Sequence, residues 1–328
     1  MEPNMLMRFA SVSKLITAVG IMKLQEMKKL KLNEKVFGPK GILNDTTYNN
    51  GIKDQRYYDI TVEQLLRHQA GFNNYAGDPV SSTRYIMMQN HLTTPPDHKT
   101  LLRILLKRHL GYTPGQGKCY SNLGYMILSM VIEKKSGMKY ENFMQKYVLQ
   151  PAGCYDMHIA GTYLKDRRPN ETKYYMHQGS IPVYEYNNSG RLVEKCYGDT
   201  DLPRLSGAGA WCGSAAELSR FIASIDGMPH VKDILSKKSI QFMTTEQPDH
   251  QYSIGWNYTP KSNRPWIRTG SLAGTSALVL KYPDGQCWIL ITNTSTWKGH
   301  GFSNDSMAFF EKLRQKYIPG MPKKDLFI

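Results

Sequence analysis

The sequence lacks the patterns that mark several common protein classes. Its five cysteines are widely spaced with no Cys-x-x-Cys pair, and its nine histidines include no His-Glu-x-x-His. These absences argue against a disulfide framework and against a zinc site. No apolar run reaches the length of a membrane span, and the first residues lack the charged-then-apolar form of a signal peptide. We therefore expect no metal, no cofactor and no membrane span.

Acidic residues are scarce relative to basic ones. Lys and Arg number 42 against 27 Asp and Glu, which gives a formal net charge of +15. Such an excess raises nucleic acid, anionic surfaces and acidic substrates as partners. The basic residues are scattered, however, with only short clusters at 27–31 and 107–109, and no nucleic-acid recognition module accompanies them. We expect the charge to serve solubility or substrate attraction, and no nucleic-acid binding.

The remaining composition is that of a globular protein with a substantial core. The chain has 328 residues, of which 41% are hydrophobic, without an internal repeat or a low-complexity linker. Apolar residues at helical spacing recur in several segments between 11 and 149, and capping boxes lie at 61–64 and 214–217. The last quarter alternates as strands do. Helices are predicted at 11–25, 61–66, 99–110, 123–137, 140–149, 214–225 and 305–317, and strands at 252–256, 266–270, 275–282 and 286–293.

This order of elements predicts an α+β architecture, in which an antiparallel sheet is flanked by helices and a mostly helical subdomain is inserted. Residues 72–96 are predicted to be loops over a site. Residues 152–205 are predicted to be irregular, with a hairpin among them. We expect one catalytic domain over residues 1–328, with a sheet subdomain formed by 1–56 and 206–328 and a helical subdomain formed by 57–205.

A Ser-x-x-Lys pattern opens the first helix. Ser11 and Lys14 are three residues apart, so their side chains share one helix face. A serine hydroxyl is a weak nucleophile until a base takes its proton, and a lysine in a dry setting can be that base. Ser13 points to a different face, which makes Ser11 the predicted nucleophile. The alternative interpretation is a helix cap followed by a solvated lysine, so the pattern needs partners elsewhere.

Two further segments supply such partners. Tyr120 and Asn122 come just before the helix at 123–137, and Arg268, Thr269, Gly270 and Ser271 end a predicted strand. Taken separately, the first segment is equally well a turn with a helix cap, and the second a bulge at a strand end. Gly-x-Ser-x-Gly is absent, which removes the commonest rival pattern of serine hydrolases.

In this order, Ser-x-x-Lys, Tyr-x-Asn and Arg-Thr-Gly resemble the motifs of the penicillin-recognising serine hydrolases. These include class C β-lactamases, D-alanyl-D-alanine carboxypeptidases and their esterase relatives. The intervals between the motifs fit the family, and so does flanking sequence at 65–68, 207–209, 252–256 and 270–275. The resemblance covers essentially the whole chain. It implies the β-lactamase/transpeptidase-like fold.

The resemblance also implies roles for the site residues. Ser11 would be acylated, with Lys14 or Tyr120 as its base, and a lysine base requires that a pKa near ~10.4 fall by roughly 3 units. Backbone N–H groups of Ser11 and Ser271 would form the oxyanion hole. The remaining positions would bind substrate. Asn122 would hold a substrate amide as well as the Lys14 head group. Arg268 and Thr269, which Gly270 follows in the Arg-Thr-Gly motif, would bind a carboxylate. Arginine stands where the family usually has lysine or histidine.

The expected function is an acyl-enzyme hydrolase that acts on a small-molecule or peptide amide or ester, of the β-lactamase or penicillin-binding type. The close alternatives are a D-alanyl-D-alanine carboxypeptidase and a small-ester hydrolase. A different alternative is a non-catalytic module that binds β-lactam or cell-wall peptide, because no separate carboxylate for hydrolysis of the acyl group can be assigned. By resemblance, we expect a periplasmic or otherwise extracytoplasmic location.

The family has a helix and two strands before its Ser-x-x-Lys helix, whereas ten residues precede Ser11 here. Those strands would flank the predicted strand 286–293. We therefore expect that strand to have an unpaired edge and to promote self-association. We also expect a chain extended upstream to be more stable.

Overall fold

The Ser-x-x-Lys segment opens a helix that lies within the main hydrophobic core. The computed structural model describes residues 2–75, 77–246, 252–296, 298–299, 301–317 and 320, so the end of the expected domain at 321–328 lies outside the described residues. Strand β1 (Met7–Arg8) leads through a single 3-10 turn, Ala10–Val12, into helix α1 (Ser13–Glu26). Helix α1 is buried on every side up to Leu24, apart from Lys23. Its all-round apolar sequence accounts for this burial.

Helices from the middle of the chain follow, and two of them, Asn122–Ser136 and Tyr140–Met144, pack against α1. The helices of this region are α2 (Thr46–Asn49), α3 (Val62–Leu66), α4 (Thr83–Gln89), α5 (His98–Leu105), α6 (Asn122–Ser136) and α7 (Tyr140–Met144), the last continuing as a π turn over Gln145–Leu149. The capping box of α3 is present, with reciprocal bonds between Thr61 and Gln64. Helix α6 begins where the Ser121 hydroxyl accepts the Gly124 N–H at 3.1 Å and ends at Gly137, whose φ is +72°.

Two small sheets follow. Strands β2 (His158–Ile159), β3 (Val183–Tyr184) and β4 (Leu192–Val193) precede helix α8 (Ser206–Gly209) and strand β5 (Trp211–Gly213). Strands β1, β5 and β2 form one antiparallel sheet in the order β1-β5-β2. Strands β3 and β4 pair with each other, which confirms a hairpin in the irregular region 152–205.

The last part of the chain forms the main sheet. Helices α9 (Ala215–Ala223) and α10 (Lys237–Thr244) are followed by β6 (Trp266–Leu272), β7 (Thr275–Lys281), β8 (Cys287–Thr292) and helix α11 (Gly301–Tyr317). The sheet is antiparallel in the order β6-β7-β8. Helix α11 covers one face, where the rings of Trp288 and Phe310 lie 5.3 Å apart. In the described part of the chain, β8 has a strand neighbour on one side, β7.

The α+β class and the β6-β7-β8 meander agree with the sequence prediction, and several local predictions were wrong. Residues 252–256 form no strand, because Gly255 has a φ of +80° and fits against α1, where an added Cβ would lie 2.8 Å from Leu15 Cδ1. Helices α4 and α10 were missed, and α5 ends at Leu105. Ser214 caps α9, but the Glu217 carboxylate accepts N–H bonds from Tyr155 and Asp156 instead of closing a capping box.

No helix within the described residues combines the length and apolar character needed to cross a membrane.

Candidate active site

The turn before α1 carries Ser11 in a constrained backbone. Ala10, immediately before it, has a φ of +48°, a left-handed conformation that alanine rarely adopts. Strand β6 runs directly against this turn. A Cβ added at Gly270 would lie 2.5 Å from the Phe9 carbonyl oxygen and 2.9 Å from the Ser11 nitrogen. The close approach of the two backbones therefore requires glycine at 270 and fixes the turn relative to β6.

Lys14 extends its amine under the Ser11 hydroxyl. Nζ lies 3.2 Å from Ser11 Oγ and donates to Asn122 Oδ1 at 2.6 Å and to the Ala208 carbonyl at 2.7 Å. The last two partners can only accept hydrogen bonds. A neutral amine has two N–H bonds, so both are used there and its lone pair is left for the Ser11 hydroxyl.

Tyr120 also contacts the Ser11 hydroxyl. Its hydroxyl and Ser11 Oγ are hydrogen-bonded at 2.7 Å. The Lys14 ammonium position lies 4.7 Å from the centre of the Tyr120 ring. Ser11 Oγ therefore has two potential bases within hydrogen-bond reach.

The surroundings shift the pKa values of both bases in the useful direction. Complete burial lowers the pKa of Lys14, and the nearby Arg268 guanidinium lowers it further, against the opposing effect of Tyr120. For Tyr120, burial favours the neutral phenol, but the charges of Lys14 and Arg268 outweigh burial and bring the pKa down to about 8. Because the two groups are close, their titration is coupled, and these directions belong to the pair.

Arg268 is 1% exposed and faces Ser11 rather than solvent. Its Nε donates to the Ser11 carbonyl at 2.9 Å, and one terminal nitrogen also donates to that carbonyl and lies 3.5 Å from the Tyr120 hydroxyl. This geometry does not support the expectation that Arg268 binds a substrate carboxylate. The contacts favour a role in holding the Ser11 turn and in placing positive charge beside the bases.

The other residues expected from the sequence lie around the same point. Asn122 holds Lys14, as described. The Thr269 N–H donates to Asn257 Oδ1 at 2.9 Å, and Ser271 is exposed on β6. Ser13 is turned away, since its hydroxyl accepts the Trp211 N–H at 3.0 Å. Its place in the structure agrees with the choice of Ser11 over Ser13.

A family model described as Beta-lactamase matches residues 1–308. The chain belongs to the Beta-lactamase family. A curated relative is Penicillin-binding protein 4* of Bacillus subtilis (strain 168), which is 25% identical over 299 residues, or 87% of this chain and 59% of the relative. The chain thus spans less than two thirds of that protein.

Solved structures place this Beta-lactamase family member among known folds. A penicillin binding protein from Bacillus halodurans matches with a TM-score of 0.70 and 19% identity over 95% of this chain and 87% of that chain. The D-amino acid amidase from Ochrobactrum anthropi SV3, complexed with L-phenylalanine, matches with a TM-score of 0.69 and 18% identity over 96% and 87%. At these identities the likeness establishes the fold, which is that of β-lactamases and penicillin-binding proteins, and no substrate.

Sequence reasoning missed the residues that hold the Tyr-x-Asn segment of this family site. Asp78 Oδ2 accepts the Asn122 N–H at 3.0 Å, and Asn74 Nδ2 donates to the Tyr120 carbonyl at 2.6 Å. Both come from the region predicted as loops over a site. His68 contacts the same segment. These contacts link positions more than 40 residues apart, so no local pattern identifies them.

A separate buried cluster contains donor types that metals use. One ligand atom each of His158, Glu171 and Cys212 lies within 4.8 Å of the others. Each also has a protein neighbour: His158 Nδ1 lies 2.9 Å from the Asp156 carbonyl, and the Tyr174 hydroxyl lies 2.8 Å from Glu171 Oε1 and 3.9 Å from Cys212 Sγ. The cluster is thus explained as a buried polar network that supports β1, β5 and β2.

Proposed function

We propose that this chain is a serine hydrolase that forms an acyl-enzyme on Ser11 with an amide or ester substrate. The observation that carries the proposal is the position of Ser11 Oγ, 2.7 Å from the Tyr120 hydroxyl and 3.2 Å from Lys14 Nζ. A hydroxyl with two buried bases in hydrogen-bond reach can lose its proton as it attacks a carbonyl. The alternative interpretation, a helix cap followed by a solvated lysine, does not fit this arrangement, because Lys14 is fully buried.

The proposed reaction has two half-reactions. Ser11 Oγ attacks the substrate carbonyl carbon, and its proton passes to the Lys14–Tyr120 pair. The pair then gives a proton to the departing amine or alcohol as the C–N or C–O bond breaks, which leaves the acyl group on Ser11. In the second half-reaction, water gives a proton to the same pair as it attacks the ester carbonyl carbon. The bond from that carbon to Ser11 Oγ then breaks, the pair returns the proton to Oγ, and the acyl group leaves as a carboxylic acid.

Backbone groups near Ser11 are placed to assist both steps. We assign the oxyanion hole to the N–H groups of Ser11 and Ser271, because the close contact at Gly270 brings β6 beside the Ser11 nitrogen. The Asn122 side chain faces Lys14 through its oxygen, which leaves its amide nitrogen for a substrate carbonyl. Thr269 is partly exposed on β6 and can contact the other end of the substrate.

For the substrate class, we propose β-lactams or amides of D-amino acids such as those in cell-wall peptides. The support is the similarity to a penicillin-binding protein and to the structure of a D-amino acid amidase. D-alanyl-D-alanine carboxypeptidase and small-ester hydrolase activities remain within this proposal, because one nucleophile and one pair of bases serve them all. By the same resemblance we propose an extracytoplasmic location, which cell fractionation with a specific antibody would test.

The decisive experiment follows labelling and turnover in parallel. The protein is incubated with a fluorescent penicillin, nitrocefin, p-nitrophenyl esters, D-alanyl-D-alanine and D-phenylalanine amide. We expect one acyl group per chain on the tryptic peptide that contains Ser11, and turnover of at least one substrate. Labelling without any turnover would instead identify a non-catalytic module that traps its ligand. Absence of both would contradict the proposal.

We further propose that β8 pairs with a second copy of the chain. In the described part of the chain this strand has β7 on one side only, and its sequence from Cys287 to Ile291 is apolar and without proline. An open row of backbone N–H and C=O groups favours pairing with another strand. Light scattering at increasing protein concentration should reveal dimers or larger species. A monodisperse monomer with slow hydrogen exchange throughout β8 would contradict this.

A further inference from the structure

One residue, His68, accepts hydrogen bonds from the backbone on both sides of Tyr120. The His68 carbonyl accepts the Cys119 N–H at 2.9 Å, and His68 Nδ1 accepts the Ser121 N–H at 3.1 Å. Cys119 and Ser121 flank Tyr120 in the chain. No regular strand includes these three residues, so the two contacts take the place of a backbone ladder.

The imidazole ring also packs against the phenol ring. The rings of His68 and Tyr120 lie 4.6 Å apart with an angle of 34° between their planes, and the rings of Tyr252 and Tyr125 lie 4.8 Å and 5.2 Å from His68. His68 is 3% exposed. The ring therefore fixes the side chain of Tyr120 as well as its backbone.

The charge state of His68 is constrained by these contacts. Because Nδ1 accepts an N–H bond, the ring must be the neutral tautomer with its proton on Nε2. Burial, then the positive charges of Lys14 and Arg268, lower the pKa of His68 well below its ordinary value. A protonated ring would lose the bond to Ser121 and add a third positive charge to the site.

The backbone of His68 provides independent support for a specific role. Its φ is +59°, just after the end of α3, where glycine or asparagine is the usual residue. A left-handed conformation at such a residue is unfavourable, because Cβ comes close to the following carbonyl oxygen. A residue that only filled space in the core could do so in an ordinary backbone conformation.

We propose that His68 is a positioning residue that holds Tyr120 in reach of Ser11 by accepting the Ser121 N–H bond. The proposal rests on the assignment of Tyr120 as a base in the proposed function. The neutral imidazole orients Tyr120 and does not contact substrate. Loss of the acceptor should let Tyr120 move away from Lys14 and Ser11.

Two substitutions separate the acceptor from the rest of the side chain. His68→Asn and His68→Gly both remove the ring, and both tolerate a positive φ. Only asparagine keeps an acceptor, its Oδ1, near the position of Nδ1. A difference between the two variants therefore reports the bond to Ser121 and not the ring or the backbone conformation. His68→Leu, which fills the volume without an acceptor, replaces His68→Gly if the glycine variant does not fold.

The first measurement does not depend on catalysis. The ionisation of Tyr120 is followed as the difference in ultraviolet absorbance at about 295 nm between each protein and the same protein carrying Tyr120→Phe. In the wild type the midpoint should lie near pH 8. We expect it to stay there in His68→Asn and to rise by about one pH unit or more in His68→Gly, as Tyr120 leaves the two cations. Equal midpoints in the two variants would overturn the proposal.

The second measurement follows acylation by a fluorescent penicillin. His68→Gly should lower the rate constant at saturating penicillin by about tenfold or more and leave the half-saturating concentration nearly unchanged, because a base and not a binding group is displaced. His68→Asn should retain most of the rate. Equal losses in both variants would contradict the proposal. If the wild type is not labelled, the proposed function fails, while the absorbance measurement still decides the role of His68.

Discussion

Two lysines of this protein are buried to nearly the same degree and have opposite surroundings. Lys14 is 0% exposed and Lys281 is 4% exposed. Lys281 Nζ lies 3.1 Å from Asp226, a carboxylate that is itself buried. Lys14 forms no ion pair with any carboxylate of the described residues, and its partners are an amide oxygen, a carbonyl and a hydroxyl. Burial is therefore common to both lysines, and the partners decide which one can act as a base.

The difference follows from the cost of burying an ammonium group. A nearby carboxylate offsets that cost and keeps the charge in place. Neutral partners do not offset it, and a neighbouring guanidinium increases it, so the ammonium group loses its proton more easily. Lys14 has such a neighbour in Arg268, and its pKa is lowered. The contrast predicts chemistry at Lys14 and structural stabilisation at Lys281.

The largest expected effect is at the nucleophile that Lys14 serves. Ser11→Ala should abolish covalent labelling by penicillin, as measured by mass spectrometry, and leave the circular dichroism spectrum unchanged. Ser13→Ala is the matched control, because Ser13 lies two positions away and bonds only within the core, to the Trp211 N–H. The control should keep its labelling and lose about 1 kcal/mol of unfolding free energy. Persistent labelling of Ser11→Ala would place the nucleophile elsewhere.

The next effect separates the two lysines directly. Lys14→Met should lower the acylation rate by about 10²–10⁴-fold, since a base is lost. Lys281→Met should leave the rate of folded molecules unchanged but lower the free energy of unfolding in urea by about 3–5 kcal/mol, because Asp226 stays buried without its partner.

The double variant Lys281→Met/Asp226→Leu provides the control for that comparison. It removes both charges and should recover most of the lost stability. If Lys14→Met and Lys281→Met instead gave the same ratio of rate loss to stability loss, the distinction between the two lysines would fail.

The pH dependence of labelling tests whether the charges beside Lys14 also lower the pKa of Tyr120. Its pKa is about 8, below the ordinary value of 10, because Lys14 and Arg268 outweigh burial. A base acts only when deprotonated, so labelling should speed up as the pH rises toward about 8 and level off above it. Tyr120→Phe should remove that dependence along with most of the rate. Tyr48→Phe, at a tyrosine whose pKa is raised to about 12, should keep the wild-type profile.

The sequence predicted the parts of this site that are close together in the chain. Ser11 and Lys14 are one helical turn apart, and the all-round apolar sequence of α1 predicted the burial of Lys14. The main sheet was also predictable, because β7 and β8 alternate clearly and are joined by a tight turn. The resemblance to the penicillin-recognising serine hydrolases then joined the three motifs, Ser-x-x-Lys, Tyr-x-Asn and Arg-Thr-Gly, into one expected site.

Other parts could not be predicted, because their cause lies in distant contacts. Strands β1, β2 and β5 have two or three residues each, too few for any period to be visible. His68 follows a predicted helix, and its neighbours in the sequence indicate only the C-terminal end of that helix. Its partner Ser121 is 53 positions away. The partners Asn122 and Ala208 of Lys14, and Asp226 of Lys281, likewise come from other elements. The Ser-x-x-Lys pattern therefore singles out Lys14 but does not show which groups surround either lysine.

The smallest effect tests the cation that distinguishes the surroundings of Lys14. Arg268→Lys keeps a positive charge near Tyr120 but cannot make the two bonds by which the guanidinium converges on the Ser11 carbonyl oxygen. We expect acylation to slow by about tenfold, the cost of one charge-assisted hydrogen bond, with the pH profile retained. The same factor should apply to penicillins that carry a carboxylate and to neutral p-nitrophenyl esters, since Arg268 acts on Ser11. A loss confined to the carboxylate-bearing substrates would show instead that Arg268 binds substrate, and the two buried cations of the site would then have to be assigned separate functions.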